Sequence, residues 1–207
     1  MERVRLIRVP AIIFFCAALV LAAGFILAQD EVPSGNASTT GTSLQPPTNL
    51  RITASPRPAE KPLDRDGHLM ISEGDRCPVC AMRPVRVPHF ASALRLKNGT
   101  TYYCCGPGCL IKSWMHPEIY LGVPKTELDL PVVREYFTGK PMDAREVTWV
   151  SGSDVIGPMG PTIIPVSGEA EMEAFKRRHG GKVLFTLGEM TDARWQEITG
   201  KPMVQKD

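Results

Sequence analysis

The sequence predicts an α+β fold of two small modules, each a β-hairpin followed by a helix, carried behind an N-terminal transmembrane helix and a disordered linker. Three observations lead there. A basic cluster precedes a long apolar run at the start, a Ser/Thr/Pro-rich stretch without aromatic residues follows it, and twice in the remainder two extended runs precede a segment of helical periodicity.

Residues 1–28 read as a signal anchor or a signal peptide. Arg3, Arg5 and Arg8 precede Val9–Ala28, an uncharged run of twenty residues, long enough to span a bilayer. No basic residue follows until Arg51, which puts the N-terminus inside and everything downstream outside. Cys16, deep in that run, reads as a lipid-facing apolar residue. Residues 29–63 are dominated by Ser, Thr, Pro, Gly and Asn and read as a flexible linker, because so little apolar surface cannot offset the entropy of ordering it.

Residues 64–122 form the first module. Phe90–Lys97 and Thr100–Cys104 flank Asn98-Gly99, the signature of a hairpin with a type I′ turn, in which both central residues take positive φ. Gly106-Pro107-Gly108 reads as a tight turn, and Leu110, Ile111 and Trp114 recur at helical spacing within Cys109–Met115 before His116-Pro117. Residues 123–141 lack strong periodicity and read as a connector. The second module, residues 142–200, has extended runs at Arg145–Val150 and Thr162–Val166, with a turn at Ser151–Asp154. The helix Glu169–His179 follows, with Met172 and Phe175 on its buried face and glutamates in its first half. Lys176, Arg177 and Arg178 occupy its last turn before the stop at Gly180-Gly181. Lys182–Leu187 returns as a strand. The recurrence of hairpin then helix reads as a diverged internal duplication.

Charge excludes one class of partner. The 24 basic and 22 acidic residues leave a net charge of +2, and residues 64–207 carry eighteen of each, so the folded part offers no basic surface for nucleic acid. No nucleophile–base pairing, phosphate-cradling loop or carboxylate dyad is visible, so the expectation is a protein that is not an enzyme.

The chemistry lies in the cysteines. Cys77 and Cys80 form C-x-x-C, and Cys104, Cys105 and Cys109 gather where the hairpin ends and the helix begins. Five thiols in an exported domain cannot all pair, and this spacing brings four of them to one end of the hairpin in a treble-clef-like arrangement suited to a metal. Neighbouring strand residues point to opposite faces, so Cys104 and Cys105 do not serve one site together, and one of them is spare. Met82 beside the C-x-x-C adds a thioether, a poor donor to zinc and a good one to Cu(I). Met159, in the turn Gly157-Pro158-Met159-Gly160, is either a presented ligand or a core residue. His89 and His116 lie close enough in sequence to offer nitrogen.

These residues also carry a family resemblance. From Cys77 to about Met190, the order CPVCAM, KNGTTYY, GKPMDAREVTWVSGSDVIGPMG and GGKVLF resembles the nitrous-oxide-reductase accessory protein (NosL) family of exported copper proteins. The first half alone is similar to the YHS/TRASH metal-handling module, and on that match Cys105 and Cys109 are the site cysteines and Cys104 the spare. The resemblance implies two ββαβ-type modules and Cu(I) held by Cys77, Cys80, Met82, Cys105, Cys109 and Met159. It further implies supply of copper to nitrous oxide reductase during denitrification, on the periplasmic side of the inner membrane, with an associated copper/sulfur ABC transporter system as a further partner. Two features depart from the pattern. Ala81 stands where the family usually has Gly, a mild change unless the position needs positive φ, and the lipobox cysteine common in the family is missing, so the N-terminal helix must anchor the chain. Two other readings remain beside the copper chaperone: a structural zinc module closed by Cys77, Cys80, Cys105 and Cys109, and a thiol–disulfide oxidoreductase using Cys77 and Cys80. The second lacks the following helix that lowers a redox cysteine's pKa.

Overall fold

The computed structural model describes residues 56–204, so the predicted membrane segment and the linker up to residue 55 lie outside the described residues. Among the described residues no helix is long and apolar enough to cross a membrane. The fold is mixed α/β, with small antiparallel sheets and few helices.

The first sheet is built on β1 (Ser92–Leu96) and β2 (Thr101–Cys104), paired with Leu94 opposite Tyr102 and Ala93 opposite Tyr103. Their turn differs from the expected type I′. The Gly99 N–H donates to the Leu96 carbonyl, and of the Asn98-Gly99 pair it is Gly99 that has positive φ, at 87°. The bend therefore centres on Lys97-Asn98, with Gly99 absorbing the left-handed step that lets the strands twist back into register.

Helix α1 (Pro107–Met115) starts two residues before the predicted boundary. Gly106 is its N-cap and Pro107 its first residue, so the expected tight turn is a helix start, where the missing proline N–H costs nothing. A single-turn α2 (Pro117–Tyr120) follows. The expected connector then supplies a seven-residue strand, β3 (Leu128–Arg134), which pairs with β1, and β4 (Pro141–Asp143) pairs with β3 to give the order β2-β1-β3-β4. Met142 and Asp143 thus belong to the first sheet and not to the second module.

The second sheet has the order β8-β5-β9. It comprises β5 (Thr148–Ser153), β8 (Ile164–Val166) and β9 (Gly180–Phe185), with α3 (Glu169–His179) linking β8 to β9. Three strands of the first sheet, β2-β1-β3, repeat the arrangement of the second: a central first strand, flanked by strands joined through a helix. Between β5 and β8, where a simple turn was expected, a small hairpin rises from β6 (Ile156–Gly157) and β7 (Gly160–Pro161), with Pro158 and Met159 at its tip. A Cβ on Gly157 would lie 2.8 Å from that of Thr162, so only glycine lets the hairpin fold this tightly. Its base is fastened by Asp154, which bonds His179 Nδ1 at 2.8 Å, while Tyr136 Oη bonds His179 Nε2 at 3.0 Å. The chain ends with α4 (Asp192–Thr199), N-capped by Thr191 and stopped by Gly200 in the left-handed conformation.

One continuous core joins the two sheets. Leu94 and Tyr102 from the first sheet and Leu110 from α1 share it with Trp149 and Phe185 from the second and with Ile163 just before β8, and Trp149 stacks on Phe185 while donating its indole N–H to the Ala144 carbonyl at 3.0 Å. The opposite face of the first sheet is covered by Leu63 and Leu69 over Ala93, Tyr103 and Val132. The docked part of the chain therefore begins earlier than residue 64. Ala59 N–H donates to the Thr101 carbonyl, Glu60 N–H to the buried Asp75 carboxylate, and Tyr103 Oη to the Lys61 carbonyl. Composition hid this arm because backbone bonds and one leucine hold it.

The loop Cys77–Met82 closes on itself, with Cys77 N–H donating to the Met82 carbonyl at 2.9 Å and Ala81 N–H to the Cys77 carbonyl at 2.8 Å. Ala81 has φ 61°, and it is the non-glycine residue with positive φ among the described residues. The expected mild departure is thus a strained one, because a Cβ in this region costs about 1–2 kcal/mol.

Two stability measurements follow. A chain starting at Asp64 will be about 2 kcal/mol less stable to urea than one starting at Pro56, from the lost burial of Leu63 and the lost hydrogen bonds, net of the entropy of ordering the arm. Ala81→Gly will raise stability by about 1 kcal/mol by relieving the positive-φ strain, where an ordinary surface Ala→Gly change lowers it.

Candidate metal centre

Two segments far apart in sequence supply the thiols. The closed loop presents Cys77 and Cys80 three residues apart. Cys105 lies just past the end of β2, and Cys109 sits on the first turn of α1. The Ser92 hydroxyl holds the junction between them by donating to the Gly106 carbonyl at 3.2 Å. The sulfurs of Cys77, Cys80, Cys105 and Cys109 all lie within 4.8 Å of one another, with Cys80 to Cys105 at 3.3 Å and Cys105 to Cys109 at 3.7 Å. Four thiolates around one tetrahedral ion at about 2.3 Å would stand about 3.8 Å apart, so the set has the dimensions of a metal site. All five cysteines of the described residues are free thiols.

Strand alternation does not separate Cys104 from this group. Tyr102 and Cys104 face the shared core, and because β2 ends at Cys104 the chain is free to turn Cys105 to the same side. Cys104 is fully buried behind Cys77 and outside the set of four.

The electrostatics follow from crowding. Cys77 is held far below its ordinary range by thiol contacts, from Cys104 first and then Cys105, Cys109 and Cys80. Cys80 is lowered by Cys105 and Cys109. On Cys105 the contact from Cys109 favours the thiolate, but those with Cys77 and Cys80, together with burial, outweigh it and push the thiol up. Cys109 is pushed up by Cys105, Cys77 and Cys80, and Cys104 by Cys77 and burial. Ionising the later thiols beside existing thiolates is resisted until a cation neutralises the cluster.

Of the two methionines singled out in the sequence, Met159 reaches the cluster: its Sδ lies 3.9 Å from Cys109 Sγ, although the residue is 62% exposed on the β6–β7 tip. Met82 closes the cysteine loop through its backbone, while its side chain packs, half-buried, against the core. His89 is exposed, and His116 Nε2 is engaged by Asp192 at 2.7 Å. Cys77-Pro78-Val79-Cys80 lies in a turn and not at a helix N-terminus, so it is the neighbouring thiols and not a helix dipole that lower Cys77.

Beside the cluster opens a cavity of about 400 Å³, whose lining includes Cys105, Cys109 and Met159 together with Lys112, Trp195 and Lys201. Sequence reasoning missed these last three. Trp195 rides on α4, whose signals were the Thr191 cap and Gly200 stop.

The chain matches the NosL family over residues 68–195. The crystal structure of the copper chaperone NosL from Shewanella denitrificans is similar to it with a TM-score of 0.50 and 25% identity, covering 63% of this chain and 99% of that one. No curated protein matches. Since the family match runs from His68 to Trp195 and takes in every sulfur donor of the site, the chain belongs to the NosL family.

Proposed function

We propose that this chain is an exported, membrane-tethered copper chaperone. In this reading it holds Cu(I) at its cysteine–methionine site and delivers it to nitrous oxide reductase on the periplasmic side of the inner membrane, working with an associated copper/sulfur ABC transporter system. Family membership and the likeness to a solved copper chaperone support the reading. The observation that carries it is the Met159 thioether, 3.9 Å from Cys109 on an exposed tip. A thioether beside thiolates suits soft Cu(I) and adds nothing for zinc. Its bond to the ion is the weakest of the set, so Met159 can yield its place to an acceptor's donor before any thiolate lets go. The protein is then a carrier of metal and not a catalyst. A structural zinc ion is the second reading, favoured by the tetrahedral dimensions of the four cysteine sulfurs.

Competition between metals separates the two. The reduced, anaerobic full chain will take up Cu(I) against a chelator and give up bound zinc to it; stoichiometric zinc retained under excess Cu(I) would assign the site to structure. Cys77→Ser or Cys80→Ser will weaken Cu(I) binding by more than about 100-fold, and Met159→Leu by about tenfold. Met82→Leu will weaken it less than Met159→Leu. Because Met159 is mostly exposed, its replacement will leave the unfolding free energy in urea within about 0.5 kcal/mol of the parent, which distinguishes a lost donor from a damaged fold. Delivery is read in a denitrifying host: deletion of the gene will leave nitrous oxide reductase exported but copper-poor, and full copper content in a strain without a redundant chaperone would remove this role.

A further inference from the structure

The cavity beside the cysteine cluster combines two chemistries that a metal site does not need to share. Part of its lining is sulfur, from Cys105, Cys109 and Met159. Part is cationic. Lys112 and Lys201 are the charged residues among those that line it, and no carboxylate is among them. Lys112 Nζ lies 5.5 Å from the centroid of the Trp195 ring, and Trp195, only 6% exposed, has an indole N–H with no hydrogen-bond partner. Gly106 and Gly108 bring the first turn of α1 into the same lining, and no side chain caps that helix. The volume of about 400 Å³ falls in the range of small-molecule pockets, roughly 300–1,000 Å³.

A ligand that uses both parts of the lining must carry anionic groups for the lysines and a soft donor for whatever the sulfurs hold. A simple anion would leave the sulfurs unused, and a neutral thiol would leave the lysines unused. We propose that the cavity binds a small thiol bearing carboxylates, of the size and charge of a short thiol peptide, and that this thiol exchanges Cu(I) with Cys105 and Cys109. The proposal rests on the copper reading above for the exchange step, though not for the binding step. Exchange balances without redox change. The copper–thiolate bond of the small ligand breaks as a bond from copper to a cysteine sulfur forms, and the proton of that cysteine leaves on the released thiol. Release of copper is the reverse.

Glutathione is the probe, with S-methylglutathione as an anion lacking a thiol and 2-mercaptoethanol as a thiol lacking charge. In the reduced, metal-free full chain, glutathione and S-methylglutathione will shift the Trp195 indole N–H resonance, 2-mercaptoethanol will not, and Lys112→Gln/Lys201→Gln will weaken the response about tenfold, or 1.4 kcal/mol. In the copper-loaded chain, glutathione will exchange Cu(I) about tenfold faster than 2-mercaptoethanol at equal thiolate concentration. That advantage will vanish in the double variant, whose Cu(I) affinity against a chelator stays at the parent value. No Trp195 shift overturns the proposal whatever the copper result. Equal exchange rates for charged and neutral thiols overturn it as well. A shift in a chain that binds no Cu(I) would end the copper reading and leave the thiol site standing. Lysine-dependent transfer to a protein acceptor, with no response to glutathione, would assign the cavity to a protein segment and overturn the small-ligand proposal.

Discussion

Strands β1 and β2 are buried on both faces, with Leu94, Tyr102 and Cys104 toward one core and Ala93 and Tyr103 toward another. A two-stranded ribbon in that position must be covered on each side, and the rest of the chain is arranged to do so. The arm from Ala59 to Leu69 closes one face with Leu63 and Leu69. Helix α1 and the second sheet close the other through Leu110, Trp149 and Phe185. The same requirement fixes the sulfur site, because the loop that carries Cys77 and Cys80 is the direct continuation of the arm, and Cys105 and Cys109 lie where the ribbon hands over to the helix that covers it.

The site that results is closed on one side and open on the other. Toward the core, four thiols crowd together with Cys104 behind Cys77, where burial and mutual contact hold them to fixed positions. Toward the surface, Cys80 is only half-buried and the remaining wall is a thioether at the tip of a hairpin. A cage meant only to stabilise a fold has no use for a replaceable wall, whereas a site that must give up its ion has every use for one. The fastening of Asp154 to His179 holds the base of that hairpin while leaving its tip in solvent.

Much of this was legible in the sequence. The helix α3 was readable because Met172 and Phe175 mark one face, charges follow the helix dipole and glycines stop it. The cysteine loop was readable because its spacing has few other uses. What stayed hidden has physical reasons. Strand β3 contains Pro131, and proline usually argues against an inner strand; here Pro131 stands opposite Leu94, and its carbonyl accepts from Ala144 instead. Helix α4 buries Trp195 and little else, too weak an apolar stripe to show as periodicity. The arm before residue 64 is held by backbone bonds, to which composition is blind. Ala81 stood out as a departure from the family, but its left-handed backbone depends on how the loop closes, which no residue type reveals.

The thiols sit on the loop and helix start packed around the first sheet and the thioether on the hairpin between β5 and β8 of the second, so the gap between Met159 and Cys109 depends on the core the two sheets share. A change of volume at Trp149 or Phe185 moves one donor relative to the other as surely as a substitution at the site itself. Interior residues that never touch the cysteines therefore set the spacing of the sulfur donors as much as the donors' own side chains do.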